Sequence, residues 1–358
     1  MQYFPSPTQD LSTKQERTYV RLACFAMVVT LCLLMLGAWV RLTDAGLGCP
    51  DWPGCYGHFT PTLAKEKIQA AVAVQGGEHG PVSLGKAWNE MLHRYVASFV
   101  GLLILILAFL AWKWRATLKR SPLLPTVMVG VVILQGLFGK WTVTLLLKPA
   151  IVTGHLLGGV LTFSLLVWLW ERHRAPRRYV DAEPVAALHW PALIGIAILG
   201  MQIFLGGWTS TNYAALACTD LPTCQGAWWP EMNFADAFHL IRELGQTGEG
   251  AAISMQALTA IHFTHRVWAL VVTAYVTWLA WRTFNSGYRF SDHEGRQGER
   301  PLGLALFLML CVQVGLGMSN IVWSLPLPVA VAHNGGAAVL MALLIVLSLR
   351  AASAKLTV

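Results

Sequence analysis

The sequence predicts an all-α integral membrane protein: eight transmembrane helices as two tandem four-helix bundles, related by a pseudo-two-fold axis along the membrane normal, with both termini cytoplasmic. Three observations carry that expectation. Of the 358 residues, 55% are hydrophobic and only 12% charged, about half the charged fraction of a soluble domain. Eight apolar runs approach the roughly 20 residues needed to cross a bilayer core. A stretch that follows the first run recurs after the fifth, with its cysteines in register.

The runs cover 21–40, 89–112, 123–145, 150–170, 188–208, 257–281, 301–323 and 328–350. The first follows a polar segment and is long enough to span, so it reads as a retained helix rather than a cleaved signal. An even number of spans puts both termini on one side. With the N-terminus inside, 17 of the 26 Lys and Arg fall on cytoplasmic segments, as the positive-inside rule requires. These positions account for the net charge of +8 without a nucleic-acid partner. The units are a cytoplasmic segment 1–20, a first half 21–170, a cytoplasmic linker 171–187, a second half 188–350 and a cytoplasmic tail 351–358. No Arg- and Ser-rich leader precedes the first run, which favours a bacterial inner membrane over a mitochondrial one.

The repeat is gapless over Gly37 to Cys55 and Gly206 to Cys224. Gly37/Gly206, Trp39/Trp208, Cys49/Cys218, Asp51/Asp220, Pro53/Pro222 and Cys55/Cys224 are among the matches. Apolar bias alone does not align cysteines, an aspartate and a proline. Further on, His93-Arg94 matches His265-Arg266, and Gln135 with Gly139 matches Gln313 with Gly317. His155 and His333 each follow that glutamine by twenty residues. Four spans repeat as four spans, so the copies keep one orientation and the axis runs along the membrane normal.

Each of these four histidines lies a few residues inside its own span, at the outer end. Ionisable groups at such depth are costly and generally functional. Paired imidazoles at matching depth suit the two axial ligands of an iron porphyrin, one pair per half. Two other readings stand beside this one: a hydrogen bond from a lone intramembrane His to a neighbouring helix, and a zinc or copper path. Glycines 154, 158, 159, 335 and 336 fit close approach to a flat macrocycle and equally fit small-residue helix packing.

Glu90 lies one turn before His93, on the same helix face, whereas the second copy has His262 there. The copies differ where an acid or base would meet a ligand on His93, which points to a catalytic first-half site and an accessory second-half site. The competing role for Glu90 is a charge at the helix N-terminus. Arg94 and Arg266 are candidate partners for porphyrin propionates or snorkel to the headgroups. Arg41 and Asp44 border the first site without a readable role. Cys49, Cys55, Cys218 and Cys224 form two Cys-x5-Cys pairs in the outer loops, where each pair is a disulfide staple or a redox-active dithiol.

Taken together, the GAWVRLTDAGLGCPDWPGC segment, Glu90-x-x-His93-Arg94, His155, His265-Arg266, His333 and the cysteine pairs resemble the haem A synthase family over nearly all eight spans. The resemblance implies an eight-helix duplicated bundle that oxidises a methyl group of haem O to a formyl group by successive water-derived hydroxylations. It implies haem b as cofactor on His265 and His333, and haem O as substrate on His93 and His155. Glu90 is then the catalytic candidate. An electron acceptor is required but not identified, and haem O synthase as a partner and a homo-oligomeric state are both compatible with the sequence. A non-catalytic bis-histidine dihaem cytochrome is the competing function.

Overall fold

The computed structural model describes residues 14–75, 77, 80, 82–174, 183–286 and 299–355. Much of the sequence-read cytoplasmic segment 1–20, linker 171–187 and tail 351–358 lies outside these, as do the basic residues Arg177, Arg178, Arg289 and Arg296.

Eight helices are long and apolar enough to cross a membrane, and among the described residues there is no strand. They are α1 (Lys14–Leu42), α2 (Leu84–Lys113), α3 (Leu123–Thr144), α4 (Pro149–Arg172), α5 (His189–Thr211), α6 (Met255–Asn285), α7 (Arg300–Val322) and α8 (Leu327–Lys355). Every expected span is present. Helix α2 begins five residues before the predicted 89, and α6 two before 257, because serines set their starts. The Ser83 hydroxyl accepts the Lys86 N–H at 3.1 Å and Ser254 accepts that of Ala257 at 3.2 Å, each satisfying a first-turn donor. Prolines in the first turn open α4 and α7, where no intrahelical N–H is lost.

Two tight connections recur. Leu146 and Leu147 join α3 to α4 at φ of 50° and 59°, and Ser324 and Leu325 join α7 to α8 at 53° and 64°. Left-handed backbone costs a non-glycine residue about 1 kcal/mol. It is held by Leu147 N–H to Thr142 C=O at 2.9 Å and Leu325 N–H to Asn320 C=O at 2.7 Å.

Helix α1 packs against α2 and α4, and α3 packs against the same two. Helix α5 packs against α6 and α8, and α7 again against the same two. The two sets meet where α1 touches α8 and where α4 touches α5 and α8. Half of the α8 span is buried, against 11% for α3, so α8 is central and α3 peripheral. With lipid as apolar as the side chains, close van der Waals fit drives such association. Small residues permit it: Gly207 on α5 faces Leu156 and Thr153 of α4, and Gly335 on α8 faces Met35 of α1.

One apolar core joins Leu34, Phe163, Leu199, Val276, Leu306 and Leu344 across the line where the sets meet, and a second joins Tyr19, Ala23, Ile104, Leu107, Met128 and Leu166. At the end of the bundle that carries the termini, Arg350 Nε donates to Glu171 Oε1 and its Nη1 to Glu299 Oε2, both at 2.8 Å. These contacts tie the ends of α4 and α8 to the start of α7. The Arg350 side chain is 12% exposed, Glu171 11% and Glu299 0%. Removing one partner of a buried ion pair leaves an uncompensated charge. Arg350→Ala is therefore expected to destabilise the protein by about 3 kcal/mol, measured as a lowered unfolding midpoint in detergent.

Candidate functional site

The four histidines sit between the apolar cores and two caps built by the outer loops. From the helix starts, His93 is nine residues into α2 (93 minus 84) and His265 ten into α6 (265 minus 255), about 14 and 15 Å along the axis. His155 and His333 are each six residues in (155 minus 149, 333 minus 327), about 9 Å. Depths thus match between the halves, as the repeat predicts.

Each imidazole lies against a glycine of a neighbouring helix. A Cβ built on Gly37 of α1 would stand 3.0 Å from His93 Cε1, and one on Gly206 of α5 stands 3.0 Å from His265 Cε1. On Gly139 of α3 it would be 3.5 Å from His155 Cε1, and on Gly317 of α7 3.1 Å from His333 Cε1. A Cβ at Gly37, Gly206 or Gly317 presses on the ring, and one at Gly139 only reaches van der Waals contact, so the first three glycines constrain ring position. The glycines beside the histidines do something else. Gly154 faces Phe138, Gly158 faces Gln135, Gly159 faces Leu34, Gly335 faces Met35 and Gly336 faces Gln313, contacts of small-residue helix packing. Sequence comparison had paired Gly37 with Gly206 and Gly139 with Gly317 but did not reveal that they seat the rings.

His93 and His155 face each other with ring centroids 6.4 Å apart, tilted by 75°. A metal held between two imidazoles at bonds of about 2 Å each puts the centroids about 6 Å apart, so this pair fits a bis-imidazole iron site. His265 and His333 take the matching places in the second half, against Gly206 and Gly317. All four rings are half-buried. The Nδ1 atoms of His93, His155 and His333 are buried without a partner, whereas His265 Nδ1 has Gln202 Nε2 at 3.1 Å. Among the described residues no cluster of three or more His, Cys, Asp or Glu converges, a donor set short of the four ligands of a closed zinc site. Pairs of imidazoles with small neighbours suit a flat porphyrin, whose own nitrogens supply the remaining ligands.

The outer caps are disulfide loops. Cys49–Cys55 and Cys218–Cys224 are bonded, each with Cα atoms 4.8 Å apart, and all four cysteines are fully buried. Both loops carry a cis X-Pro bond, at Pro53 and Pro222, and matching left-handed positions at Tyr56/Gln225 and Gly57/Gly226. The Asp51 carboxylate accepts the N–H groups of Tyr56 and Gly57, and Asp220 accepts those of Gln225 and Gly226 at 2.7 and 3.0 Å as well as the Thr223 hydroxyl. Hydrogen bonds from Thr223 and the backbone hold the Asp220 carboxyl down to about 2, so it is ionised at neutral pH.

Arg94 and Arg266 fasten these loops to the helices. Arg94 donates to the carbonyls of Asp51 at 2.8 Å, Pro53 and Gly54, and Arg266 donates to those of Asp220 at 3.0 Å, Pro222 at 3.2 Å and Thr223 at 3.0 Å. Arg266 Nη1 is buried with no partner. Glu90, 4% exposed, pairs with Arg94 and accepts the Cys49 N–H at 2.9 Å. His262 does the equivalent work, its Nδ1 accepting the Cys218 N–H at 3.3 Å. Glu90 and His262, which differ in kind between the halves, therefore hold the equivalent backbone N–H of their loops. Arg41 and Asp44 join the halves. Arg41 donates to Ser210 C=O at 2.7 Å and lies 4.0 Å over the Tyr213 ring, and the Tyr213 hydroxyl donates to Asp44 at 2.6 Å.

With this geometry in view, relatives decide the family. Residues 20–345 match the COX15-CtaA family, described as cytochrome oxidase assembly protein. The chain belongs to that family. It is similar to the haem A synthase of Shewanella oneidensis, 43% identical over 324 residues, which covers 90% of this chain and 93% of that one. It is also similar to those of Chelativorans sp., at 26% identity with 94% and 92% covered, and Sphingopyxis alaskensis, at 27% with 94% and 93% covered.

Two outcomes follow from the site's packing. Gly206→Val is expected to cost about 2 kcal/mol through overpacking against His265, relative to Gly200→Val on the same helix, where nothing lies within 4 Å; paired thermal unfolding in detergent reads the difference. Replacing Cys49 and Cys55 together by Ser removes a short cross-link and is expected to lower stability by about 2 kcal/mol. Unchanged turnover in that double variant identifies the pair as a staple, and lost turnover at intact fold identifies a redox role.

Proposed function

We propose that this chain oxidises a methyl substituent of haem O to a formyl group, the reaction of haem A biosynthesis, as an oxidoreductase of the bacterial inner membrane. Family membership over residues 20–345 and the bacterial haem A synthase relatives support the activity. The observation that carries the site is the facing His93–His155 pair, 6.4 Å apart and seated on Gly37 and Gly139. In this reading haem O is held there as substrate, and haem b is the resident cofactor on His265 and His333. The two halves, 21–170 and 188–350, are a tandem duplication about a pseudo-two-fold axis along the membrane normal. The recurrence of α1–α4 neighbours among α5–α8 supports this. Both termini are cytoplasmic, supported by the basic residues on that side.

Each hydroxylation takes two electrons and two protons from the methyl carbon and water. The residues that act are on the first-half side. Glu90 is anchored through Arg94 and the Cys49 N–H, one helical turn from His93. Its carboxylate stabilises positive charge developing on the methyl carbon and takes the proton of attacking water. The disulfide loop that Arg94 holds over this end of α2 limits access of bulk water. Arg94 and Arg266, already on loop carbonyls, orient propionates with their remaining donors. Haem b, when bound, supplies a one-electron relay towards an acceptor outside the chain. Haem O synthase as donor of the substrate, and assembly into a homo-oligomer, are compatible with an outer surface of loops and a lipid-facing periphery.

The test is extraction and mass analysis of haems from protein co-expressed with a source of haem O. Haem b with haem A or a hydroxylated haem O supports the reading, and two equivalents of unmodified haem b with haem O ignored supports an electron-transfer cytochrome instead. Glu90→Ala is expected to slow haem A formation about a hundredfold, the lower end for a positioned acid or base, with both haems retained. A wild-type rate in that variant reduces Glu90 to the loop support that His262 provides.

A further inference from the structure

The two caps are fastened alike except at one nitrogen. Arg94 engages both ends of its guanidinium inside the protein: Nη1 lies on the carbonyls of the first loop and Nη2 pairs with Glu90. Arg266 uses Nη2 alone for the three carbonyls of the second loop, and its Nη1 is buried with no partner. The difference follows from the one change in the Glu90-x-x-His93-Arg94 pattern. His262 stands where Glu90 does and accepts the Cys218 N–H at 3.3 Å, but it has no carboxyl to offer Arg266. A guanidinium stays charged, and leaving its buried donors unpaired costs more than leaving neutral ones. A buried cationic donor that the first half satisfies internally and the second does not marks a place for a group from outside the chain. His262, His265 and Arg266 lie within one turn on one side of α6, so that place is beside the second-half imidazole pair.

We propose that Arg266 Nη1 is a carboxylate seat that retains the haem of the second half, and that Glu90 fills the equivalent seat in the first half so that the haem there exchanges. The proposal rests on the reading that haem b is resident on His265 and His333 while haem O passes through His93 and His155. Both haems carry propionates, but the first-half guanidinium already has a carboxyl of its own chain upon it. Arg94 is left with Nε as its one nitrogen without a bond among the described residues. Hydrogen bonds between a guanidinium and a carboxylate are about twice as strong as neutral ones, so the half whose arginine is open holds its haem and the half whose arginine is closed lets it go. Turnover needs both behaviours, a cofactor that stays and a product that leaves. One divergence between matching caps supplies them, because Glu90 and His262 each hold a cysteine N–H and only Glu90 also occupies the arginine.

The experiment follows loss of haem from the full-length protein in detergent to excess apomyoglobin. The protein carries His93→Ala, so that the second pair alone binds, and is loaded with haem b or with haem b dimethyl ester, whose carboxyls are masked. With Arg266 and His262 in place the ester is expected to leave about tenfold faster than haem b, the scale of one hydrogen bond to a charged group. In Arg266→Gln the two leave at one rate; mere loosening of the cap speeds both and keeps their ratio. His262→Glu, which sets a carboxyl against Nη1 as in the first half, also brings the rates together. His262→Gln, able to accept the Cys218 N–H without a charge, keeps the tenfold preference. Equal rates for haem b and its ester with Arg266 and His262 in place give the seat to water and overturn the proposal, as does a preference that survives Arg266→Gln. If Arg266→Gln does not load haem, the ratio in His262→Glu decides, and failure of both to load reduces Arg266 to a brace of the cap and overturns the proposal. Retention of the wild-type haem b spectrum in His265→Ala overturns the ligand assignment itself, whereas its loss alongside equal rates for haem b and ester overturns only the seat.

Discussion

The contact of each histidine ring with a glycine on the adjacent helix is the constraint on which the rest of this structure depends. An imidazole inside a membrane bundle is too polar to be left mobile and too large to be accommodated without a notch. Gly37, Gly139, Gly206 and Gly317 supply the notches, and each forces two helices into close approach at one depth. That depth then fixes where the apolar cores stop and where the outer caps begin. The pairings α1 with α2, α3 with α4, α5 with α6 and α7 with α8 are the helix contacts across which these rings and glycines meet.

The caps answer a second constraint, namely that loop backbone close to a membrane must find hydrogen-bond partners within the protein. Arg94 and Arg266 meet it by reaching out of α2 and α6 to three carbonyls each, and Asp51 and Asp220 meet it from inside the loops. Glu90 and His262 complete it at the first cysteine of each disulfide. One carboxyl and one imidazole side chain thus perform one structural task. The substitution changes the chemical group beside the first histidine while the contact to the cap is kept.

Much of the candidate site was legible in the sequence. Four histidines in four spans, the His-Arg pairs and the aligned cysteines are identities at fixed separations, and an ionisable residue in an apolar run stands out in one dimension. Glycines were legible as matches but not as seats, since a glycine next to a histidine in sequence and a glycine facing it across a helix interface look alike in a linear reading. The arginines were read toward propionates or headgroups; their bonds to loop carbonyls were not foreseen, because the geometry of a cis-proline disulfide loop has no one-dimensional signature of its own. Gln202 escaped notice because its counterpart, Leu33, is an ordinary residue of an apolar span.

By itself the sequence determined the eight spans, the internal repeat, the residue types at the site and the family resemblance. Hydropathy, spacing and identity are properties of the chain that no folding event alters. Tertiary structure alone decided which glycine each ring rests on, that Glu90 and His262 hold the equivalent backbone N–H of their loops, that Arg41 and Tyr213 clasp the halves, and that one imidazole of four has a side-chain partner. Each of those depends on the rotation and register of one helix against another, and these are set by side-chain packing between segments more than a hundred residues apart in some cases, as between Arg41 and Ser210.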